Sequence, residues 1–442
     1  MSHMRPNILL LLPDQWRGDW MPDTPADLPL RLPTLTKLAS QGTVFEHAFS
    51  PSPLCAPARA CFASGMRYPR CGVSSNQVDY PEHIPTLYQH LRTGGYQVMG
   101  CGKFDLHKAS YTWGPKGKNS LDSWGFSDGI DNEGKIDGIQ AYRAGTPGPY
   151  LTFLEGKGVA WTHVEDFESR GIYGTAPTAI PDELYGDNYV AANAAALLDA
   201  APTDKPWFLQ VNFTGPHFPF DVTHAMYEWY KDTAFPPPYL DDERKTGPDH
   251  LAIRRNYAAM MQNIDRRIAD LLNHPRIAGD DRPTIIIFSS DHGEMLGDHG
   301  YYGKCKPFNG SLHIPMIMQG PGILADNHIG APVSLLDLSA TILELAQTEI
   351  PSGMESRSLV PCLTSEAAPE GVVTASLAIE SEPHHCWKAI MDPLYKYILW
   401  ADGHEALYAL DDYTEAHNLI ASHREAADSL RIKLQESLHE IL

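Results

Sequence analysis

Asn7-Ile8-Leu9-Leu10-Leu11-Leu12-Pro13-Asp14 is an unbroken apolar run that stops on a proline and a carboxylate. Amphipathic helices and half-exposed strands interleave polar positions, whereas a strand buried on both faces of a parallel sheet does not. The run therefore predicts such a strand, with Asp14 emerging at its carboxyl end. Trp207-Phe208-Leu209-Gln210-Val211-Asn212 repeats the pattern and leads to Thr214-Gly215-Pro216-His217. Thr284-Ile285-Ile286-Ile287-Phe288-Ser289-Ser290 ends at Asp291-His292-Gly293, and Tyr96-Gln97-Val98-Met99-Gly100 runs into Gly102-Lys103. Four strand-like runs thus deliver polar residues to their C-terminal ends, where open α/β sheets place their sites.

Helix signals lie between them. Pro85 to Thr93 carries Leu87 and Leu91 one turn apart and stops at Gly94-Gly95. Tyr257, Met261, Ile264, Ile268 and Leu272 form one apolar stripe at helical spacing, read as core. Residues 108–185 are rich in Gly, Tyr, Trp and Asp with weak periodicity, and read as long loops covering a site. The predicted fold is α/β: a large mixed, mostly parallel sheet sandwiched by helices.

After the helix-like Leu336 to Gln347 the texture changes at Pro351-Ser352-Gly353. Short strands follow at Trp387–Met391 and Tyr395–Trp400, then a helix from about Arg424 to Leu442 carrying Ala427, Leu430, Ile432, Leu434 and Leu438. The expectation is a catalytic domain over 5–350 and a smaller antiparallel α+β subdomain over 351–442.

A composition of 43% hydrophobic and 20% charged residues excludes a chain dominated by disorder. The net charge of −21 argues against nucleic acid or an anionic membrane as partner. An anionic substrate needs a local positive pocket instead. Seven cysteines are an odd number with no zinc-like pair spacing, so most read as reduced, buried thiols. No apolar stretch approaches the ~20 residues of a membrane span. Met1-Ser2-His3-Met4 reads as a cloning remnant, and a signal peptide could have preceded Arg5. The expected compartment is that of a bacterial-type soluble protein, periplasmic or cytoplasmic.

Two strand ends carry Asp14-Gln15 and Asp291-His292. A lone Asp at a strand end is usually a turn former; two such ends flanked by an amide and an imidazole suit a divalent cation. Oxygen donors fit Ca²⁺ or Mg²⁺, and the imidazole leaves Mn²⁺ open.

Cys55-Ala56-Pro57-Ala58-Arg59 is read as a loop feeding a short helix, and its C-x-P-x-R spacing resembles the signature of the type I sulfatases of the alkaline phosphatase superfamily. In that family the cysteine is oxidised to formylglycine, whose hydrated aldehyde is the nucleophile. Asn7 to Asp14, Gly102-Lys103, Gly215-Pro216-His217-Phe218-Pro219-Phe220 and Ser290-Asp291-His292-Gly293 occur in the family's order. Leu407-Tyr408-Ala409-Leu410-Asp411-Asp412 with Asn418-Leu419 resembles its C-terminal element, so the likeness spans about residues 5–420.

The resemblance implies metal binding by Asp14, Gln15, Asp291 and His292 together with the diol derived from Cys55, calcium being the preferred ion. It implies that Arg59 pairs with or orients the diol, that Lys103 and Lys304 hold sulfate oxygens, and that His217 contacts sulfate or protonates the leaving oxygen. One hydroxyl of the diol would attack sulfur, and the alcohol would leave with a proton from Lys304 or His217. Deprotonation of the second hydroxyl would then expel sulfate as the aldehyde re-forms. A maturation enzyme that generates formylglycine is an implied partner.

Three positions depart from the family pattern. Gln15 stands where many members carry a second aspartate. Asp105 occupies the place two after Lys103 where a histidine is common, and His107 comes two later; either His107 takes over the diol contact or Asp105 serves the substrate. Ser64-Gly65 replaces Thr-Gly. The expected function is hydrolysis of a sulfate ester, preferably of a carbohydrate, with aryl and quaternary ammonium sulfates open. Residues 108–185 and Glu380 to Trp387 would shape the substrate pocket. The rivals are a phosphonate monoester or phosphodiester hydrolase of the same superfamily, a subgroup that lacks the lysine at 103, and a catalytically silent protein that binds sulfated glycans. Oligomeric state is not legible.

Overall fold

The computed structural model describes residues 4–22, 24–240, 249–365, 367–379 and 386–439. The expected pocket segment from Glu380 to residue 385 and the chain end at 440–442 lie outside them.

Every residue of the Asn7–Leu11 strand is buried. Successive side chains of a strand face opposite ways, and here both faces are covered. Ile8, Leu10 and Leu12 pack with Phe62, Leu87, Leu91, Leu338 and Ile342. Leu9 and Leu11 pack with Leu35, Val190, Leu198, Tyr257 and Ile264. One face therefore carries the helices Cys55–Ser64, Leu87–Thr93 and Asp337–Leu345. The other carries Pro33–Ser40, Gly186–Ala200 and His250–Leu272. This is the predicted sandwich.

Among the described residues the sheet has eight strands in the order Asn327–Ile329, Thr43–Phe45, Met316–Gln319, Thr284–Ser289, Asn7–Leu11, Trp207–Asn212, Gln97–Gly102 and Asp128–Asp131. Met316–Gln319 runs against both its neighbours, and the other paired strands are parallel. Register builds the site. Leu11 lies opposite both Val211 and Phe288, so three residues further on Asp14, Thr214 and Asp291 reach the same edge. Gly102 pairs with Asn212 and delivers Lys103 beside them. With φ of 98°, Gly102 brings its backbone so close that a Cβ would lie 1.9 Å from the Asn212 carbonyl oxygen; only glycine serves there.

The helix expected over 85–93 begins at Leu87, because Thr86 and Gln89 form a reciprocal capping box. The expectation of loops over 108–185 is corrected. That segment contains the strand Asp128–Asp131 and the helices Lys135–Arg143, Pro149–Gly156, Ala160–Arg170 and Gly186–Ala200 just beyond. Its short helices escaped detection because each contributes only one or two residues to a small shared cluster of Ile139, Leu151, Leu154, Ala160 and Val164.

Toward the C-terminus, Val373–Leu377, Trp387–Met391, Tyr395–Trp400 and Glu405–Ala409 form an antiparallel sheet. Val373, Ala375, Ala389 and Ile398 join the same core as Ile8 and Leu10. Ile390, Tyr397 and Leu407 on its other face pack against Ala427, Leu430 and Leu434 of the helix Arg424–His439. Ile432, expected on that apolar stripe, is 56% exposed because it falls off the 427–430–434 spacing. Among the described residues no helix is long and apolar enough to cross a membrane.

Glu133 follows the Asp128–Asp131 strand and accepts from the Leu151 and Tyr150 amides at 2.8 and 3.3 Å, tying down the start of the Pro149–Gly156 helix. Burial pushes its carboxyl from 4.5 up to about 7, against the pull of those amides. The native state thus holds the proton more tightly than the unfolded chain does. The group's stabilisation is full below its unfolded value and is lost as pH rises through the native one, by about 3 kcal/mol. Urea unfolding at about pH 5 and about pH 8 should show Glu133→Gln gaining on the wild type at the higher pH; an equal difference at both refutes the assignment.

Candidate active site

Asp14, fully buried, donates its backbone N–H to the Phe213 and Gly215 carbonyls, each at 3.1 Å. Gln15 then takes a left-handed backbone, φ 71°. That turn lets its N–H donate to Asp291 Oδ1 at 3.0 Å while its carbonyl accepts from the Tyr257 hydroxyl at 2.6 Å. The His292 amide also donates to Asp291 Oδ1, at 3.0 Å. The two strand ends are thereby locked to each other.

Cys55 opens the buried helix Cys55–Ser64, with Leu54 extended before it. A helix start presents partial positive charge. Cys55 Sγ lies 2.9 Å from Lys304 Nζ, 3.3 Å from His292 Nε2 and 3.9 Å from Asp14 Oδ1. Burial and Asp14 push the thiol up, yet Lys103, Lys304 and His292 outweigh them and bring it down to about 5.

Arg59, one turn further on, donates from Nε to Asp291 Oδ2 at 2.9 Å, from Nη1 to the Lys103 carbonyl at 2.6 Å and from Nη2 to Asp14 Oδ2 at 3.4 Å. Sequence suggested a partner for the diol; in the structure the guanidinium clamps the two carboxylates beneath it. Lys103 Nζ pairs with Asp14 and lies 2.9 Å from Asp105 Oδ2. Burial opposes ionisation of Asp14, but Lys103 foremost, with Lys304 and Arg59, holds its carboxyl well below the usual range.

Lys304 Nζ also donates to Gln15 Oε1 at 2.9 Å and to His217 Nε2 at 2.8 Å. The other ring nitrogen of His217 faces the Phe218 carbonyl. A carbonyl only accepts, so Nδ1 bears the proton and Nε2 is the acceptor for Lys304.

Asp14, Cys55, Asp291 and His292 offer ligand atoms all within 4.8 Å of one another. His292 Nδ1 donates to the Gly293 carbonyl at 3.0 Å, leaving the Nε2 lone pair for the cluster, as metal-binding histidines do. This donor set fits a divalent cation. Gln15 adjoins it, but its side chain is spread between Lys304 and the carboxylate of Glu294.

His107 is placed elsewhere. Its ring nitrogens engage Asp131 and Thr112, and its ring lies 5.5 and 5.3 Å from those of Trp113 and Trp124. Asp105 instead turns toward Lys103 and Lys108.

The sequence reading missed Glu294, whose buried carboxylate holds Gln15 and the Leu296 amide; its nearness to Asp291-His292 was the available signal. It also missed Ser50, whose hydroxyl donates to the Asp291 carbonyl at 2.6 Å. Nothing local distinguishes that serine.

Residues 6–348 match the family model described as Sulfatase, and residues 297–441 the one described as N-sulphoglucosamine sulphohydrolase, C-terminal. The chain belongs to the sulfatase family. The choline-sulfatase of Rhizobium meliloti (strain 1021) is 29% identical over 462 residues, covering 97% of this chain and 85% of that protein. The phosphonate monoester hydrolase of Agrobacterium radiobacter shares the fold at a TM-score of 0.79 and 23% identity, over 99% of this chain and 95% of its own. A protein solved with its substrate D-glucosamine-2-N,6-O-disulfate shares it at 0.76 and 19%, over 99% and 97%. As a member of the sulfatase family the chain is a sulfuric ester hydrolase.

Metal analysis of purified variants tests the donor set. His292→Ala should lose more divalent-cation affinity than the ~10- to 100-fold that removal of an outer-shell partner costs, and Ser50→Ala should stay within that range. Equal metal content in His292→Ala and wild type would remove the imidazole from the site.

Proposed function

We propose that the protein hydrolyses a carbohydrate sulfate ester through a formylglycine formed from Cys55, beside a divalent cation, calcium preferred over magnesium or manganese. The observation that carries this reading is the convergence of Lys304, His292 and Asp14 on Cys55 Sγ at a helix start. That sulfur marks the place of the hydroxyls of the hydrated aldehyde. Asp14, Gln15, Asp291, His292 and the modified residue would hold the cation, which when bound lowers the pKa of the attacking hydroxyl and polarises the sulfate.

In this reading one hydroxyl attacks sulfur in line, and the S–O bond to the alcohol breaks. Lys304 gives the leaving oxygen its proton; His217, an acceptor at Nε2, steadies that ammonium and lines the sulfate pocket. Lys103 draws on the sulfate oxygens as charge accumulates. The second hydroxyl then loses its proton, the C–O bond to sulfate breaks and the aldehyde re-forms. Arg59 acts through the carboxylates it clamps. His107, whose ring nitrogens engage Asp131 and Thr112, is given no part in these steps. A formylglycine-generating enzyme is a required partner in maturation.

A sugar substrate is supported by the substrate of the structurally similar protein solved with D-glucosamine-2-N,6-O-disulfate. It is also supported by aromatic faces such as Tyr173 against Tyr302, two residues before Lys304. A second reading, phosphonate monoester or phosphodiester hydrolysis, draws on the fold shared with the Agrobacterium radiobacter enzyme. Lys103, buried against Asp14, favours the sulfatase reading.

Matured enzyme should turn over sulfated mono- or oligosaccharides, and an aryl sulfate faster than a phenyl phosphonate ester. A dominant phosphonate rate would reverse the order of the two readings, and good choline sulfate turnover with no sugar activity would replace the substrate class. Peptide mass spectrometry should find the Cys55 peptide about 18 Da lighter than the thiol form, and Cys55→Ala should lower kcat by at least about 10⁴-fold. A persistent thiol with sulfated-glycan binding intact would leave only a binding protein.

A further inference from the structure

The alternation of charge at the site continues behind Lys103. Asp105 has a left-handed backbone, φ 55°, unusual for a residue with a Cβ. Its Oδ2 lies 2.9 Å from Lys103 Nζ and 3.2 Å from Lys108 Nζ. Lys108 in turn pairs with Asp137. Lys103, Asp105 and Lys108 are all buried, with Asp137 at the margin. Gly134 closes the other side. A Cβ there would lie 2.7 Å from Lys103 Cε and 2.9 Å from Asp137 Oδ2. Its φ of −73° and ψ of 166° suit any residue, so this glycine answers to space and not to backbone.

We propose that Asp105, Lys108, Asp137 and Gly134 form a cradle that positions the Lys103 ammonium for the sulfate. The inference rests on the reading that Lys103 holds sulfate oxygens. Asp14 pairs with Nζ directly, and a single carboxylate would leave the ammonium free to swing about it. Asp105 Oδ2, 2.9 Å away, is a second anchor that fixes where Nζ sits. Because Asp105 is shared with Lys108, its hold on Lys103 is weaker than that of an unshared carboxylate. Asp137 holds Lys108 in place, and the bare backbone at Gly134 leaves the channel through which the Lys103 stem passes. The carboxylate at 105, in the place of a common family histidine, thus acts through the lysine and not on the substrate. These four are positioning residues.

A double-mutant cycle tests the cradle, read as kcat and KM on an aryl sulfate with matured protein whose Cys55 conversion and melting temperature are measured alongside. Asp105→Asn should lower kcat at least about tenfold with a smaller change in KM. In a Lys103→Met background it should add less than about twofold, since its effect passes through the lysine. Gly134→Ala, which keeps every charge, should behave the same way and serves where Asp105→Asn does not fold. If either substitution costs as much without Lys103 as with it, or both leave kcat at the wild-type level while Lys103→Met is slow, the cradle is wrong. If Lys103→Met itself retains wild-type kcat, it is the sulfate-holding role of Lys103 that fails.

Discussion

Two carboxylates that should repel each other are buried side by side, and one guanidinium holds them. Asp14 and Asp291 end adjacent parallel strands with no exposure to water, and Arg59 donates to both. Without it Asp14 would keep Lys103, but Asp291 would lose its guanidinium beside a second desolvated anion, where repulsion at low dielectric shifts pKa values by units. Breaking such a buried pairing from one side costs about 3–5 kcal/mol. The clamp comes from the same short helix that opens with Cys55, so the residue securing the two carboxylates also fixes their distance from Cys55. Fold and chemistry therefore share one structural requirement.

The wider electrostatics follow from that unit. The chain carries a net charge of −21, yet Arg59, Lys103 and Lys304 converge around Cys55. Arg59 and Lys103 are each shared between two acids, whereas Lys304 faces an amide, a sulfur and an imidazole that leave its charge largely unspent. An anion entering here meets positive charge already desolvated and oriented, which is the condition for electrostatic stabilisation without reorganisation. A surface lysine of equal charge would offer far less.

Much of this was legible along the chain. A strand buried on both faces must be apolar throughout, so Asn7–Leu11, Trp207–Asn212 and Thr284–Ser289 announce themselves, and the polar residues beyond them fall at one sheet edge by parallel register. The helices of 108–185 were hidden because each buries only a narrow patch against its neighbours. His107 and Asp105 show the limit most sharply. Spacing from Lys103 left them as alternatives, and neither spacing nor residue type reports that Asp131 and Thr112 capture the imidazole while a left-handed turn aims the carboxylate inward.

What the chain by itself determined was the sheet, the order of its polar strand ends and the identity of the residues able to do chemistry, since burial periodicity and functional-group type are local properties. Only the tertiary structure decided which carboxylates Arg59 clamps, which proton His217 keeps, and that Lys108, Asp137 and Gly134 stand behind Lys103. Those are relations of direction and distance between segments far apart in the chain, as Arg59 and Asp291 are at 232 residues. They exist only once the strands are paired and the helices packed, because a hydrogen bond needs its partner in place and no local spacing carries that information.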